Sequence, residues 1–407
     1  MPASTCRERF LPGSKVTRVA LVSSAVQRVT CISRALGVLR TLLCGAGAAA
    51  QLVLPGCATG PAEPGAQGPA LSPEQAREMI DQSLPRGVAD RGAWVNDIYA
   101  GFTVQGLEVS RQNICAVVAV TEQESNFHVN PVVPGLGPKA WKEIDSRAER
   151  AGVPRMLVHA ALELRSPTGS TYSQRIDAAK TEKDLSDIYE DFIGSVPLGK
   201  KLFAGYNPVR TRGPMQVNVA FAESYGSVRP YPYPMKGTLA DEVFTRRGSL
   251  YFGIAHLFAY QPPYDDYVYR FADFNAGQFA SRNAAFQSAV ARASGISLAT
   301  DGALVSHESD VSSTELALRA LAGRLDLSEG AIHSALEEGK TKEFERTQLY
   351  QRVFALAERT AKRPLPRAVV PTIKLHGPKI SRNLTTSWYA RRVDGRFDRC
   401  MGKSGGG

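Results

Sequence analysis

The chain has 407 residues, room for one large domain or two small ones, and a formal net charge of +10. Seven basic residues against one acid lie in the first 56 positions, so the remainder carries only +4, which argues against a nucleic-acid partner. The six cysteines have no metal-ligand spacing.

In chain order, residues 1–56 read as an export signal. Arg7, Arg9, Lys15, Arg18, Arg28, Arg34 and Arg40 precede an uncharged run from Thr41 to Leu54, which suits a signal-peptide core and is short for a membrane span. The run ends in Leu54-Pro55-Gly56-Cys57, which resembles the bacterial lipobox, whose cysteine is lipidated after cleavage. Pro55 is an unusual occupant of that motif, and an ordinary signal peptide with an incidental cysteine is the alternative. Ala58 follows where enterobacterial inner-membrane lipoproteins carry aspartate, so the resemblance implies the outer membrane of a Gram-negative cell, with an acyl anchor in its lipid. Residues 57–71 form a Pro-, Gly- and Ala-rich tether beyond the acylated cysteine.

From Ser72 onward the patterns are overwhelmingly helical, and period-two alternation is too scarce for a large sheet. Ser72-Pro73-Glu74-Gln75 is a helix start, and Ser110 precedes a second helix through Ile114 to Thr121. Further helices are expected at 139–151, 155–164, 182–193, 240–260, 279–294 and 315–325, with a long one from about 328 to 360. Cys115 sits in an apolar helix and reads as a buried thiol rather than a disulfide partner of Cys400. After Lys362, prolines at 364, 366 and 371 break the helical pattern. A basic tail follows, in which Trp388 and Tyr389 are interleaved with arginines; it either packs on the domain or meets anionic lipid or glycan.

Three short motifs carry chemistry. Glu124 ends the apolar run from Ile114, in Gln123-Glu124-Ser125 with Phe127 close behind, and shares its helical stripe with Ile114, Val117, Val118, Thr121 and Ser125. A carboxylate between an apolar surface and a helix C-terminus is pushed toward its neutral, proton-donating form. Glu122 points away and is expected to be solvated. The second motif, Gly213-Pro214-Met215-Gln216-Val217-Asn218, combines close backbone approach, an adaptable thioether and two amides, a set suited to N-acetylated sugars, or forms a turn into a helix. In the third, Phe274-Asn275-Ala276-Gly277 ends an apolar helix, with capping as the plain explanation.

Glu-Ser-x-Phe, then Gly-x-Met-Gln, then Asn-Ala-Gly after an aromatic residue resembles the lysozyme-like lytic transglycosylases over about residues 110–294. Gly248 to Ala255 also resembles that family's helix leading to the last motif. The resemblance implies a mainly α, lysozyme-like helical domain over 72–300, with a helical insertion at 131–210 and a helical extension and basic tail at 301–407. It implies Glu124 as catalytic acid/base, with substrate held by Ser125, Phe127, Gly213, Met215, Gln216, Asn218, Phe274, Asn275 and Gly277. Peptidoglycan glycan strands would be the partner, and no metal or organic cofactor would be required.

The chain departs from that pattern in two places. Phe274 stands where the family has tyrosine, removing a phenol from the catalytic carboxyl. About eighty residues separate Phe127 from Gly213, where the family has a shorter link. The chain also resembles an uncharacterised family of outer-membrane surface lipoproteins in which a long insertion and a basic tail are normal. The expected reaction cleaves the β-1,4 bond between N-acetylmuramic acid and N-acetylglucosamine with one glutamate. Asp97, Glu223, Asp265 and Asp273 are candidates for a second acid should the chemistry be hydrolytic. The alternative function is a non-catalytic lipoprotein that binds peptidoglycan or a partner protein.

Overall fold

The structure, a computed structural model, describes residues 71–306, 311–375 and 384–402. The expected leader, Cys57 and all of the tether but Leu71 lie outside the described residues.

The architecture is mainly α, and its helices begin where the sequence supplies caps. In α1 (Pro73–Ser83), Ser72 and Gln75 form a reciprocal capping box with Pro73 in the first turn. α2 (Arg91–Thr103) buries Trp94, Ile98 and Phe102. α3 (Arg111–Ser125), capped by Ser110, is sequestered on every side: each residue from Ile114 to Thr121 is at most 2% exposed. A helix apolar all round must be enclosed, and α3 has neighbours on each flank.

Residues 131–210 fold into α4 (Leu136–Arg150), α5 (Arg155–Leu162), α6 (Tyr172–Ala178), α7 (Glu182–Ser195) and α8 (Gly199–Phe203). Leu136, Leu162, Tyr172, Ile176 and Ile188 form an apolar cluster of their own there. A short antiparallel hairpin follows, with β1 (Thr211–Arg212) paired to β2 (Val217–Asn218), Arg212 opposite Val217. Next come α9 (Val219–Val228), α10 (Leu239–Glu242), α11 (Arg246–Phe258) and α12 (Tyr267–Ala276). Leu250, Phe252 and Ile254 of α11 and Phe271 of α12 join α2 and α3 in the largest core. A second core gathers α13 (Ala280–Ser294), α14 (Ser313–Arg319), α15 (Ala322–Leu325), α16 (Glu329–Glu337) and α17 (Gln348–Ala361) around Phe286, Phe344 and Phe354.

The structure corrects several local expectations. The helix expected over 240–260 is broken at Val243–Thr245, because the Thr245 hydroxyl caps α11 by accepting from Gly248 N. The long helix expected from 328 to 360 is split into α16 and α17 by 3₁₀ turns at 338–340 and 342–346. There the carbonyls of Gly339 and Thr341 accept from the fully buried guanidinium of Arg282, at 2.6 and 2.7 Å. Leaving a buried cation unpaired costs more than interrupting a helix ladder.

The basic tail packs on the domain, one of the two alternatives expected for it, and does so as a helix. Residues Thr386–Met401 form α18, which packs on α3 and α12. Tyr389, Val393 and Phe397, spaced by four, face the main core, and Phe397 stacks on Tyr267 with ring centroids 4.7 Å apart. Cys115 is not a free thiol: it is joined to Cys400 of α18 across 285 residues of sequence. Glu122 is not simply solvated either, since Arg396 and Arg399 of α18 approach its carboxylate at 3.3 and 3.5 Å. Both errors have one cause, that α18 was not expected to lie along α3.

Candidate active site around Glu124 and α18

Glu124 occupies the last turn of α3, half-buried, where the helix is terminated abruptly. Asn126 and Phe127 take successive positive φ values of +49° and +61°, an uncommon backbone for an asparagine and an outlier for a phenylalanine. The conformation is held by Phe127, whose buried ring meets Trp94 edge-on at 5.1 Å. Ser125 turns inward and donates to Thr121 O at 3.1 Å, while the Thr121 hydroxyl donates to Val117 O at 2.8 Å. Ser125 and Phe127 therefore brace the helix end that presents Glu124.

The side chain set against Glu124 comes from α18. Tyr389 is only 4% exposed. Burial first, then the charge of Glu124 and hydrogen bonding to it, hold the phenol well above its ordinary pKa, against the opposing charge of Arg396. Among the described residues the phenol oxygen meets the strict geometric criterion for a hydrogen bond with no partner. At neutral pH Tyr389 thus keeps its proton and faces the Glu124 carboxyl group. On the same helix, Trp388 is 38% exposed with the Arg392 guanidinium 5.9 Å from its ring, and Arg391 is exposed.

The third motif also meets α18. Asn275 is exposed at the end of α12, and its Oδ1 accepts from the Thr386 hydroxyl at 3.0 Å. Phe274 is half-buried and packs edge-on against His256, with ring centroids 5.0 Å apart. His256 donates from Nε2 to Phe274 O at 3.1 Å, and burial lowers its pKa to about 4. Phe274 thus belongs to an aromatic cluster with His256 and Phe221, where no hydroxyl is needed. Gly277 closes α12 at φ +112°.

The second motif has a different neighbour. Gly213 stands at φ +70° in the hairpin turn, and a Cβ there would lie 2.2 Å from Val243 O. Met215 is fully buried against α11, where a Cβ on Gly253 would come within 2.4 Å of its sulfur. Asn218 caps α9 by accepting from the N–H groups of Ala220 and Phe221. Gln216, at φ +49°, donates to Glu182 Oε2 of α7 at 3.1 Å and accepts from the Thr211 hydroxyl at 3.0 Å. So α18 meets Glu124 and Asn275 with its first turn, while the amide of Gln216 is engaged by the insertion.

Of the four further acids, Asp97 is paired with Arg246 at 2.6 Å, and Glu223 and Asp265 are exposed. Asp273 is an internal strut, fully buried and accepting from Tyr260, Tyr264 and Ser281 N, with its pKa raised by burial. Among the described residues no group of three His, Cys, Asp or Glu stands close enough to hold a metal ion. Tyr389 and Arg396 escaped the sequence reading. The signal that would have found them is the four-residue spacing of Tyr389, Val393 and Phe397 leading to Cys400.

A family described as a protein of unknown function, DUF1615, matches residues 87–403. The chain belongs to the DUF1615 family. The DUF1615 region runs from just before α2 to just beyond α18, so it takes in Glu124, the insertion and Tyr389 together. The chain is similar to "Uncharacterized protein YaiW" of Escherichia coli (strain K12), with 49% identity over 353 residues, 86% of this chain and 96% of that protein. No solved structure matches.

Proposed function

We propose that this DUF1615 protein is a lytic transglycosylase-like enzyme of the cell envelope, with Glu124 as its single acid/base. The observation that carries the reading is the pairing at the end of α3: a half-buried glutamate facing a buried, protonated tyrosine contributed by α18. Phe274 removes the phenol expected from the third motif, and Tyr389 supplies one from another direction.

In this mechanism the Glu124 carboxyl gives its proton to the glycosidic oxygen as the N-acetylmuramic acid–N-acetylglucosamine bond breaks. The resulting carboxylate takes the proton of the muramic acid C6 hydroxyl, whose oxygen bonds to C1 and closes an anhydro ring. Atoms balance without added water, and Glu124 ends in its starting protonation state. One protein carboxyl suffices because the second nucleophile belongs to the substrate, unlike the two-carboxylate scheme. The Tyr389 phenol steadies the carboxylate stage by hydrogen bonding. Trp388 offers an exposed ring to a sugar face, and Asn275 offers an amide near the same helix turn. The protein would be lipidated at Cys57 and held in the outer membrane of a Gram-negative cell, within reach of peptidoglycan.

The second reading, a non-catalytic envelope lipoprotein that binds glycan or a partner protein, is favoured by Gln216, whose amide is already taken by Glu182. Purified sacculi separate the two. Solubilised glycan from wild type, and none from Glu124→Gln, supports the enzyme. Co-sedimentation of wild type with intact sacculi supports the binder, and neither cleavage nor sedimentation sinks both glycan readings.

A further inference from the structure

The helices of the 131–210 segment do not close on one another. Between α4, α5, α6 and α7 lies a cavity of about 480 Å³, within the range of small-molecule sites. Its wall is hydrocarbon almost throughout, with Ile144, Leu157, Val158, Ile176, Leu185 and Phe192 prominent. Protein interiors rarely leave room for more than a water molecule, so a void of this size and character is a receptacle rather than a packing gap.

The few polar groups of the wall narrow the ligand. Arg147 donates to Glu143 and to Tyr206 O, the Tyr189 hydroxyl donates to Phe203 O, and Lys139 donates to Pro134 O. Glu182 accepts from Gln216. Every polar side chain of the wall is thus engaged by the protein itself. A peptide or sugar placed inside would leave its own donors and acceptors unpaired, at substantial cost. The occupant must be apolar along its buried length. The cavity is too small for a helix of a partner, whose diameter with side chains is about 10–12 Å.

The way in runs past α5. Val153 and Leu157, both on the wall, are 41% and 58% exposed, and Met156 and Leu164 beside them are 78% and 60% exposed. Apolar side chains left at the rim of an apolar hollow are what a hydrocarbon chain passes on entry, with its polar head remaining in water.

We propose that this cavity is a binding site for one long fatty acyl chain, independent of the Glu124 site. Ligand binding is followed by the fluorescence of cis-parinaric acid titrated into the protein, with decanoate, laurate, myristate and palmitate as competitors. Saturable one-to-one binding is expected, with competitor affinity rising about fourfold per methylene, the equivalent of ~0.8 kcal/mol each. Ala140→Trp and Ala161→Trp, which fill the cavity from α4 and from α5, should each weaken binding at least tenfold. Circular dichroism of both variants reports whether they keep the fold, and two independent fillings guard against one that does not. Native mass spectra taken after incubation with phosphatidylethanolamine vesicles doped with free palmitate assign the source: retained fatty acid or retained phospholipid each supports the site. Absence of saturable binding, affinity unchanged in both folded variants, or affinity independent of chain length overturns it.

Discussion

Glu124 and Tyr389 meet because two helices distant in sequence end their useful faces at the same place. α3 delivers the carboxylate at its last turn, and α18 delivers the phenol at its first. If the phenol supports the carboxylate stage, Tyr389→Phe should lower the rate of glycan cleavage about tenfold or more while leaving the melting temperature near wild type. Phe274→Tyr should change the rate little, because Phe274 is committed to the His256 cluster. Equal loss in both variants, or no loss in Tyr389→Phe, would contradict this assignment. His256 makes a separate prediction. Its folded-state pKa of about 4 lies below the ordinary histidine value, so the unfolded chain binds more protons between the two. Stability is therefore full above about pH 6.5 and falls as the pH drops toward 4, by about 3 kcal/mol from this group. Urea unfolding across that window should show the slope in wild type and a flatter profile in His256→Phe.

At the scale of elements, α18 decides whether the site exists. Its hold on α3 combines the apolar face of Tyr389, Val393 and Phe397, the pairing of Arg396 and Arg399 with Glu122, and the Cys115–Cys400 disulfide. A crosslink closing so long a loop is worth about 2–5 kcal/mol. Cys400→Ser should lower the melting temperature and, by loosening Tyr389 from Glu124, reduce cleavage more than it reduces secondary structure. A melting temperature unmoved by the substitution or by reductant would show that the apolar face alone suffices. The legibility of the sequence divides along the same line. The starts of α1 and α3 are written in Ser72, Gln75 and Ser110, and Glu124 is marked by the apolar run before it. α18 was hidden because prolines at 364, 366 and 371 and a high density of arginine resemble a loose tail, and because its partner face belongs to a helix far earlier in the chain, 285 residues away at the disulfide. The roles of Met215, Gln216 and Asn218 were equally hard to see: a buried sulfur, an amide held by Glu182 and a helix cap depend on neighbours that short motifs do not name.

At the scale of the whole molecule, the mainly α architecture was legible from periodicity, whereas the breaks at 243–245 and 338–346 were not, since each is set by a tertiary or capping partner. Beyond residue 56 the chain carries little net charge, so the proposed attachment to the envelope would rest on the acyl group at Cys57 rather than on basicity. Cells given a labelled fatty acid should incorporate it into the wild-type protein and not into Cys57→Ser, which should also leave the membrane fraction; incorporation that survives the substitution would contradict the anchor. Mass spectrometry of the products formed from purified sacculi decides whether Glu124 acts as a single acid/base. Wild type should release muropeptides ending in anhydro-muramic acid, and Glu124→Gln should release none. Reducing-end products alone, or the same products from both proteins, would contradict that role.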